Sequence, residues 1–258
     1  MKYLETEIWL PPGVPSRETV REVLRLIFDE FSWFTPVRYG YLELDNALVP
    51  GDLGRHQLLA FYQKEEALQV GARTNQNFIN IFPATNTEYV YTGSCSWLTS
   101  PREALRPAWR DRHVAQVKQL MLLLGSPLAS AALKEDFKSK TQRLVEHETF
   151  TQLEFNVRGY GEGLAGLFWR NFYGPLFVSM FGERLTSLPP DVRRDLGDGI
   201  VLVEPYALPS EAGTDAGRAR EAELIAKLGP ECFYDHARNL LPTRRPILPP
   251  VPGDTNPS

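Results

Sequence analysis

The sequence contains little cysteine and no long apolar run, and both shortages limit the kind of protein it can encode. Its two cysteines, Cys95 and Cys232, lie far apart in 258 residues, which predicts two reduced thiols in a cytosolic setting. The longest apolar run extends only from Leu120 to Leu124, whereas a membrane-spanning helix needs about 20 residues. We therefore expect a cytoplasmic protein that does not span a membrane.

A signal peptide and a basic excess are also missing. Glu5 and Glu7 interrupt the first apolar stretch, so it lacks the uninterrupted apolar core of a signal peptide. Acidic residues number 32 and basic residues 28, which gives a formal net charge of -4. General nucleic-acid binding depends on an excess of Lys and Arg that neutralises phosphates. Direct binding to nucleic acid is therefore not expected.

The sequence does contain strand and helix patterns in mixed order. Alternation from Tyr3 to Leu10 predicts a first strand, and the apolar spacing from Val20 to Phe31 predicts a helix after the N-cap Ser16. Further strands are predicted over 37–44, 78–82, 88–98, 151–158 and 200–203. Helices are predicted over 108–124, 128–134 and 216–228, and two short helices or one kinked helix over 164–181. Residues 53–70 fit either a helix or a hairpin.

These elements predict an α+β fold with a largely antiparallel or mixed β-sheet and helices packed on it. We expect residues 1–241 to form a single domain, whose two successive strand-helix-strand halves could be related. Residues 242–258 form a proline-rich C-terminal tail. The tail either wraps on its own domain or presents the PxxP spacings at Pro246, Pro249 and Pro252 to an adaptor partner.

The sequence contains no recognisable complete set of catalytic residues, and it predicts no cofactor or metal site. Residues 161–166 match GxGxxG, but the preceding strand alternates, with Glu154 and Arg158 on its open face. A dinucleotide-binding strand is buried on both faces, so we favour a simple turn that caps a helix. Cys232 and His236 could supply a Cys/His pair. An uncharacterised hydrolase or transferase therefore stays an alternative.

One aromatic segment carries a family resemblance. It runs Phe168-Trp169-Arg170-Asn171-Phe172-Tyr173-Gly174-Pro175 and continues through Phe177 to Phe181-Gly182. This segment resembles the central aromatic motif of immunity proteins from bacterial polymorphic and type VI toxin systems, in particular the immunity protein 52-like group. The resemblance implies a small cytoplasmic α+β protein that binds a cognate toxin, often a nuclease, and blocks its active site. It implies no catalytic residues.

An inhibitor of this kind needs a preformed surface with a few aromatic or arginine anchors and charges that complement its partner. The acidic candidates for partner binding are Glu43, Asp45, Asp52, Glu65 and Glu66. The candidate anchors are Trp109, Trp169, Arg170 and Tyr173. Steric occlusion of a toxin by a rigid face of the protein is the function that the resemblance implies.

Overall fold

The computed structural model describes residues 3–74, 77–85, 88–147 and 149–249. The strands are β1 (Leu4–Trp9), β2 (Arg38–Gly40), β3 (Asn46–Ala47), β4 (Leu68–Gly71), β5 (Phe78–Phe82), β6 (Ser94–Thr99), β7 (Leu128–Leu133), β8 (Gln142–Glu146), β9 (Thr151–Phe155), β10 (Arg170–Tyr173), β11 (Arg193–Asp195) and β12 (Val201–Val203). The helices are α1 (Arg17–Arg25), α2 (Asp52–Glu65), α3 (Pro107–Leu124), α4 (Lys134–Thr141), α5 (Pro175–Phe181), α6 (Glu183–Thr186) and α7 (Asp215–Leu228).

Ten of these strands form one sheet in the order β11-β12-β10-β7-β1-β6-β5-β4-β2-β3. Every pair of neighbouring strands in it is antiparallel. The α+β prediction with a largely antiparallel sheet is therefore confirmed. Strand β1 pairs with β6 on one side and β7 on the other, so it joins strands from the two halves of the chain. Within the described residues, no helix is both long and apolar enough to cross a bilayer.

The first face of the sheet carries the largest hydrophobic core. A row of directly paired apolar residues crosses seven strands and packs under α1, α2 and α3. Its members are Leu202, Phe172, Ala129, Ile8, Cys95, Ile81 and Leu68. Because side chains alternate between the faces of a strand, residues one position away point to the opposite side. The second face consequently has a different composition.

The second face is covered over β7, β10 and β12. There α5, α6 and α7 pack on strand residues such as Leu128 and Tyr173, with Phe177 and Phe181 among the fully buried rings. The aromatic segment that resembles the immunity motif lies in this region, where it forms β10 and α5. Its sequence is hydrophobic because β10 is buried on both faces.

The prediction of a helix over 128–134 is wrong, because Leu128–Leu133 forms β7. Its alanines favour a helix in isolation. In the sheet, however, β7 lies between β1 and β10, and tertiary pairing overrides that weak preference. A central strand buried on both faces shows no alternation, so its pattern could not distinguish it from a short buried helix.

The helical prediction over 164–181 is also wrong in its first half, because Arg170–Tyr173 forms β10. Gly174 and Pro175 do not interrupt a helix there. They begin α5, with Pro175 at the first helical turn, where its missing N–H is not needed. The ambiguous stretch 53–70 divides into α2 and the start of β4, and the strand predicted over 37–44 is reduced to β2.

The described part of the C-terminal tail wraps on the body of the protein. Pro242 and Pro246 are buried, and Leu248 packs against the core under α5 and α7. The backbone of Gly163 has a φ of +110°, and a Cβ at this position would lie 2.6 Å from the Pro242 ring. Glycine thus permits the close approach of the tail. Pro252 lies outside the described residues, and the division at residue 241 stays a prediction.

The sheet core predicts a contrast between two phenylalanines. Phe172 is 0% exposed and Phe150, in the turn between β8 and β9, is 56% exposed. We expect Phe172→Ala to lower the free energy of unfolding by about 3–5 kcal/mol, because it opens a cavity under α3. The matched change Phe150→Ala should stay within about 0.5 kcal/mol of the parent. Urea unfolding of both variants measures this, and equal losses would contradict the assignment of Phe172 to the core.

Candidate functional site

A row of polar side chains crosses the second face of the sheet, directly behind the apolar row. Its members are paired strand to strand from β10 to β4. They are Asn171, Ser130, Glu7, Ser96, Asn80 and Gln69. Placing polar groups on a central strand is costly unless they are hydrogen-bonded or serve a function. The polar row therefore identifies the centre of this face as a candidate binding site.

A cavity of about 690 Å³ lies over the middle of this row, and we call it the central cavity. Its floor is formed by β1, β7 and β10, and its walls by α4 and by the irregular segment 157–168. The polar and charged groups that line it include Glu5, Glu7, Ser130, Lys134, Lys138, Arg158 and Asn171. Trp9, Tyr160 and Phe168 supply aromatic surface. Mixed apolar walls with a few polar groups are typical of binding sites.

Two carboxylates project from β1 into this cavity. Glu5 and Glu7 are two positions apart on one face of the strand, hence roughly 7 Å apart along it. Burial, and after it the charge of Glu5, raise the pKa of Glu7 to about 7, although a hydrogen bond with Ser94 partly opposes them. Burial also raises the pKa of Glu5, whereas Lys134 and Lys138 lower it. Near neutral pH Glu7 is thus poised between its two protonation states.

A two-stranded hairpin of β8 and β9 adjoins the cavity. Leu144 pairs directly with Leu153, and Phe155 lies on the same side of the hairpin and also lines the cavity. These three side chains, which we call the hairpin face, are 72%, 52% and 56% exposed. The sequence places Glu154 and Arg158 on the open face of the strand predicted over 151–158, which implies that Leu153 and Phe155 are buried. This is wrong, since β9 pairs with β8 and both side chains are more than half exposed.

The opposite side of the hairpin is tied to the body of the protein. Arg143 donates a hydrogen bond of 2.7 Å to the Tyr234 hydroxyl and one of 2.9 Å to the Glu154 carboxylate. Asn156, at the end of β9, is buried and donates to the Lys140 carbonyl at 2.9 Å. The hairpin face is therefore presented to solvent on an anchored element.

Arg170, a candidate anchor, is instead the centre of a buried cluster on the first face. It is 2% exposed, pairs with Glu204 at 2.8 Å and donates to the Arg110 carbonyl and to His113 Nδ1, each at 2.9 Å. Because arginine only donates, His113 Nδ1 is the acceptor and its Nε2–H donates to Thr6 Oγ1 at 3.0 Å. Burial and the charge of Arg170 hold the pKa of His113 well below its usual range.

Two of the other candidate anchors, Trp169 and Trp109, contact this cluster, whereas Tyr173 packs with Phe177 and Phe181 on the second face. Trp169 stacks with its ring under the Arg170 guanidinium at 4.2 Å, and its indole N–H donates to the Ala207 carbonyl. Trp169 and Tyr173 are both 0% exposed, so in this conformation their side chains belong to the core and do not contact a partner. Trp109 is partly exposed and lies 4.8 Å from the His113 ring. It also lines a separate cleft of about 450 Å³ with Trp33 and Trp97.

The acidic candidates are on the surface but do not converge. Glu43 and Asp45 are exposed in the loop between β2 and β3. Asp52 begins α2, and Glu65 ends it with Glu66 as the C-cap. A helix rises 1.5 Å per residue, so Asp52 and Glu66 lie about 20 Å apart. Their role in partner binding stays a prediction.

The Cys/His alternative finds little support in the geometry. The Cys232 thiol is fully buried in the core under α5 and α7, and burial raises its pKa. His236 is directed elsewhere, because its Nε2 bonds to the Ala165 carbonyl at 2.8 Å. Residues 161–166 lead into irregular chain and then β10, so the prediction that this turn caps a helix is wrong. Across the described ranges, no cluster of His, Cys, Asp and Glu is placed to hold a metal ion.

The carboxylate pair was visible in the sequence but was interpreted only as a break in an apolar stretch. Glu5 and Glu7 alternate with Leu4, Thr6 and Ile8, which are buried on the first face. That alternation identifies a strand with one polar face. It contains no signal that this face is enclosed, because the walls come from residues 130–170.

The raised pKa of Glu7 predicts how stability depends on pH. Its folded pKa of about 7 exceeds the ordinary value of 4.5, so the folded state holds the proton more tightly than the unfolded state. The free energy of unfolding therefore falls as pH rises from about 4.5 to 7. Glu7→Gln removes this loss, which is at most about 3 kcal/mol. We expect the variant to gain stability over the parent at pH 8 relative to pH 5.

Urea unfolding of parent and Glu7→Gln at both pH values measures this difference. Glu183→Gln, which alters an exposed carboxylate on α6, serves as the matched control and should leave the pH dependence unchanged. A Glu7→Gln protein that kept the parent's pH dependence would contradict the enclosure of Glu7.

The cluster around Arg170 predicts a contrast between two arginines that share one acceptor. Arg170→Met leaves the Glu204 carboxylate and the Arg110 carbonyl without their buried donor, so it should cost about 3–5 kcal/mol. Arg194 also contacts Glu204, at 3.6 Å, but is half exposed. Arg194→Met should cost about 1 kcal/mol or less. Thermal unfolding of both variants measures this, and a harmless Arg170→Met would indicate a surface role instead.

Comparison with known proteins yields a likeness of fold. No family model matches the chain, and no curated protein matches its sequence. A solved Pseudomonas aeruginosa T6SS protein superposes with a TM-score of 0.55 at 12% sequence identity, covering 88% of this chain and 72% of that one. T6SS denotes the type VI secretion system. At this identity the likeness is one of fold, and the chain is similar in architecture to that T6SS protein.

Proposed function

We propose that this chain is an immunity protein that binds a cognate bacterial toxin and occludes the toxin's active site. The observation that carries the proposal is the hairpin face, where Leu144, Leu153 and Phe155 expose more than half of their surface on an anchored element. Large apolar side chains grouped on a surface mark sites of protein–protein contact. The partner that we propose for the hairpin face is a folded toxin.

The surroundings of the hairpin face suit an interface. A specific interface covers about 800 Å² on each partner and combines an apolar centre with a polar rim. The central cavity adjoins the face at Phe155, and charged groups such as Arg158 and Lys138 border it. Arg143 and Glu154 form an ion pair beneath the hairpin. An apolar centre, a recess and a charged rim thus lie together on the second face.

The fold likeness and the sequence resemblance support the same conclusion from separate directions. The solved neighbour is named as a protein of the type VI secretion system, and the aromatic segment around β10 resembles immunity proteins of such toxin systems. That segment is buried here, so it contributes the scaffold rather than the contact surface. The toxin-binding role is carried by the exposed residues instead.

Occlusion by a rigid surface requires binding in a one-to-one ratio. A nuclease toxin would present cationic groups at its active site, which the acidic balance of this chain and the carboxylates of the central cavity would complement. The acidic candidates Glu43 and Asp45 could extend such a contact from the loop after β2. No cofactor takes part in this mechanism.

A second candidate function is hydrolysis by the carboxylate pair. Glu5 and Glu7 line the same cavity, and their positions on β1 are roughly 7 Å apart. The pKa values of both carboxyl groups are raised. Hydrolases that use two carboxylates require one of them protonated near the working pH. An enzyme would protect cells in catalytic amounts, whereas an immunity protein protects stoichiometrically, so the ratio of the two proteins needed for protection separates them.

The hairpin face predicts which substitutions abolish protection. The double change Leu144→Ala and Leu153→Ala removes two exposed apolar side chains, so we expect at least about tenfold weaker toxin binding with little change in stability. Leu122→Ala, at an exposed position of α3, is the control and should bind as the parent does. The toxin to use is the product of the neighbouring gene that co-purifies with the chain.

Isothermal titration of the purified toxin, together with a growth assay of cells that express it, measures binding and protection. Unchanged affinity of the double variant would contradict the placement of the interface. Failure to recover any toxin with the full chain from its native cells would contradict the function itself.

A further inference from the structure

The charges around the central cavity are unequally distributed. Lys134 and Lys138 act on Glu5 and lower its pKa, whereas Glu7 takes part in no ion pair among the described residues. Burial and the carboxylate of Glu5 raise the pKa of Glu7, and a hydrogen bond with the Ser94 side chain lowers it. Glu7 is therefore a recessed carboxylate without a counter-ion of its own.

Leaving such a group uncompensated costs stability. Transfer of a carboxylate from water into a protein interior is unfavourable unless it is paired or protonated. A well-packed apolar residue or a neutral amide at position 7 would avoid this cost. The surrounding polar row offers neutral partners only, namely Ser96, Ser130 and Asn171. Asn171 is already engaged with the Phe168 and Val203 carbonyls.

The walls of the cavity fit a cation that is also planar or elongated. Trp9 and Tyr160 lie edge to face with ring centroids 6.5 Å apart, and Phe168 borders the same space. Aromatic rings attract ammonium and guanidinium groups, and arginine in particular stacks on them. The volume of about 690 Å³ is ample for one such side chain.

We propose that the central cavity binds one arginine or lysine side chain of the toxin, with the Glu7 carboxylate as its counter-ion. This inference rests on the proposed function and adds the chemistry of the contact to it. The hairpin face holds the apolar part of the toxin at the mouth, and a protruding cationic side chain enters beside Phe155. Truncating a buried charge pair of this kind typically weakens binding far more than removing a rim charge.

The cations near the mouth do not prevent this. Lys138 and Arg158 are exposed, and Arg158 lies over the Tyr89 ring at 4.8 Å. Exposed charges are screened over about 8 Å at physiological salt. The Glu7 carboxylate is recessed and is screened less. Repulsion of an entering cation by Lys138 and Arg158 is therefore screened, while the half-buried Lys134 is opposed by the Glu5 carboxylate on which it acts.

Binding of a cation favours the ionised form of Glu7, so it should release a proton near neutral pH. The titratable and charged groups that face Glu7 in the cavity are Glu5, Lys134, Lys138, Arg158, Tyr89 and Tyr160. A hydrogen bond with Glu88 raises the pKa of Tyr89 and burial raises that of Tyr160, so neither tyrosine ionises near neutral pH. Glu5 carries a raised pKa of the same origin, so it would shift the titration in the same direction.

The test uses a blocked arginine, N-acetyl-arginine methylamide, and its neutral analogue with citrulline in place of arginine. Both probes are titrated into the full chain at about pH 6 and about pH 8, with NMR shifts of the tryptophan side chains as the readout. We expect saturable binding of the arginine probe that is about tenfold stronger at the higher pH, because Glu7 has a pKa of about 7. The citrulline probe should not bind.

The variant Glu7→Gln should lose the binding of the arginine probe and its pH dependence, and the control Glu183→Gln should keep both. Circular dichroism verifies that each variant is folded. Equal binding of both probes, retention of binding by Glu7→Gln, or the absence of saturable binding in the parent would each overturn the inference.

These experiments distinguish a failure of the cation-binding proposal from a failure of the proposed immunity function. If the toxin binds and Glu7→Gln leaves its affinity unchanged, the cavity does not take part and the immunity role stands. If the arginine probe binds through Glu7 but the chain recovers no toxin, the cavity is a cation site and the immunity role falls. If Glu7→Gln weakens both probe and toxin at least about tenfold, both proposals are supported.

Discussion

The two-residue periodicity of β1 is the constraint on which the rest of the structure depends. This strand pairs with β6 and β7 at the middle of a ten-stranded sheet. Its even-numbered residues face the helices α1 to α3, and its odd-numbered residues face the central cavity. A shift of register by one residue would place Glu5 and Glu7 in the main core and Ile8 in the cavity. The large apolar core on one face therefore fixes the position of the carboxylates on the other.

Periodicity in the sequence predicted the elements that have one apolar side. Helices α1, α3 and α7 and strands β1, β5 and β12 were all predicted near their observed bounds, since each buries one face or is rich in branched apolar residues. Strands β7 and β10 were missed because both of their faces are buried, which removes the alternation that distinguishes a strand. Pairing with β1 and β12, not local preference, determines their conformation.

The candidate site was harder to predict than the fold because it is made of parts distant in sequence. Its floor comes from β1, β7 and β10, and most of its walls come from α4 and segment 157–168, more than 120 positions after β1. Three of the four residues singled out as anchors share a motif, but these three, Trp169, Arg170 and Tyr173, are held inside the protein by packing and hydrogen bonds. Exposure, which separates a contact residue such as Leu144 from a core residue such as Phe172, depends on the tertiary structure and has no local pattern.

The packing of the tail on segment 157–168 has a mechanical consequence for the cavity. Pro242 closes against Gly163, Leu248 approaches Gly161, and the Tyr91 hydroxyl reaches the Pro249 carbonyl at 3.4 Å. The irregular wall is thereby clamped between the sheet and a stretch of chain whose prolines have few conformations to lose. This packing preorganises the central cavity, because its wall need not become ordered when a ligand binds. The proline-rich terminus then acts as a brace for the cavity.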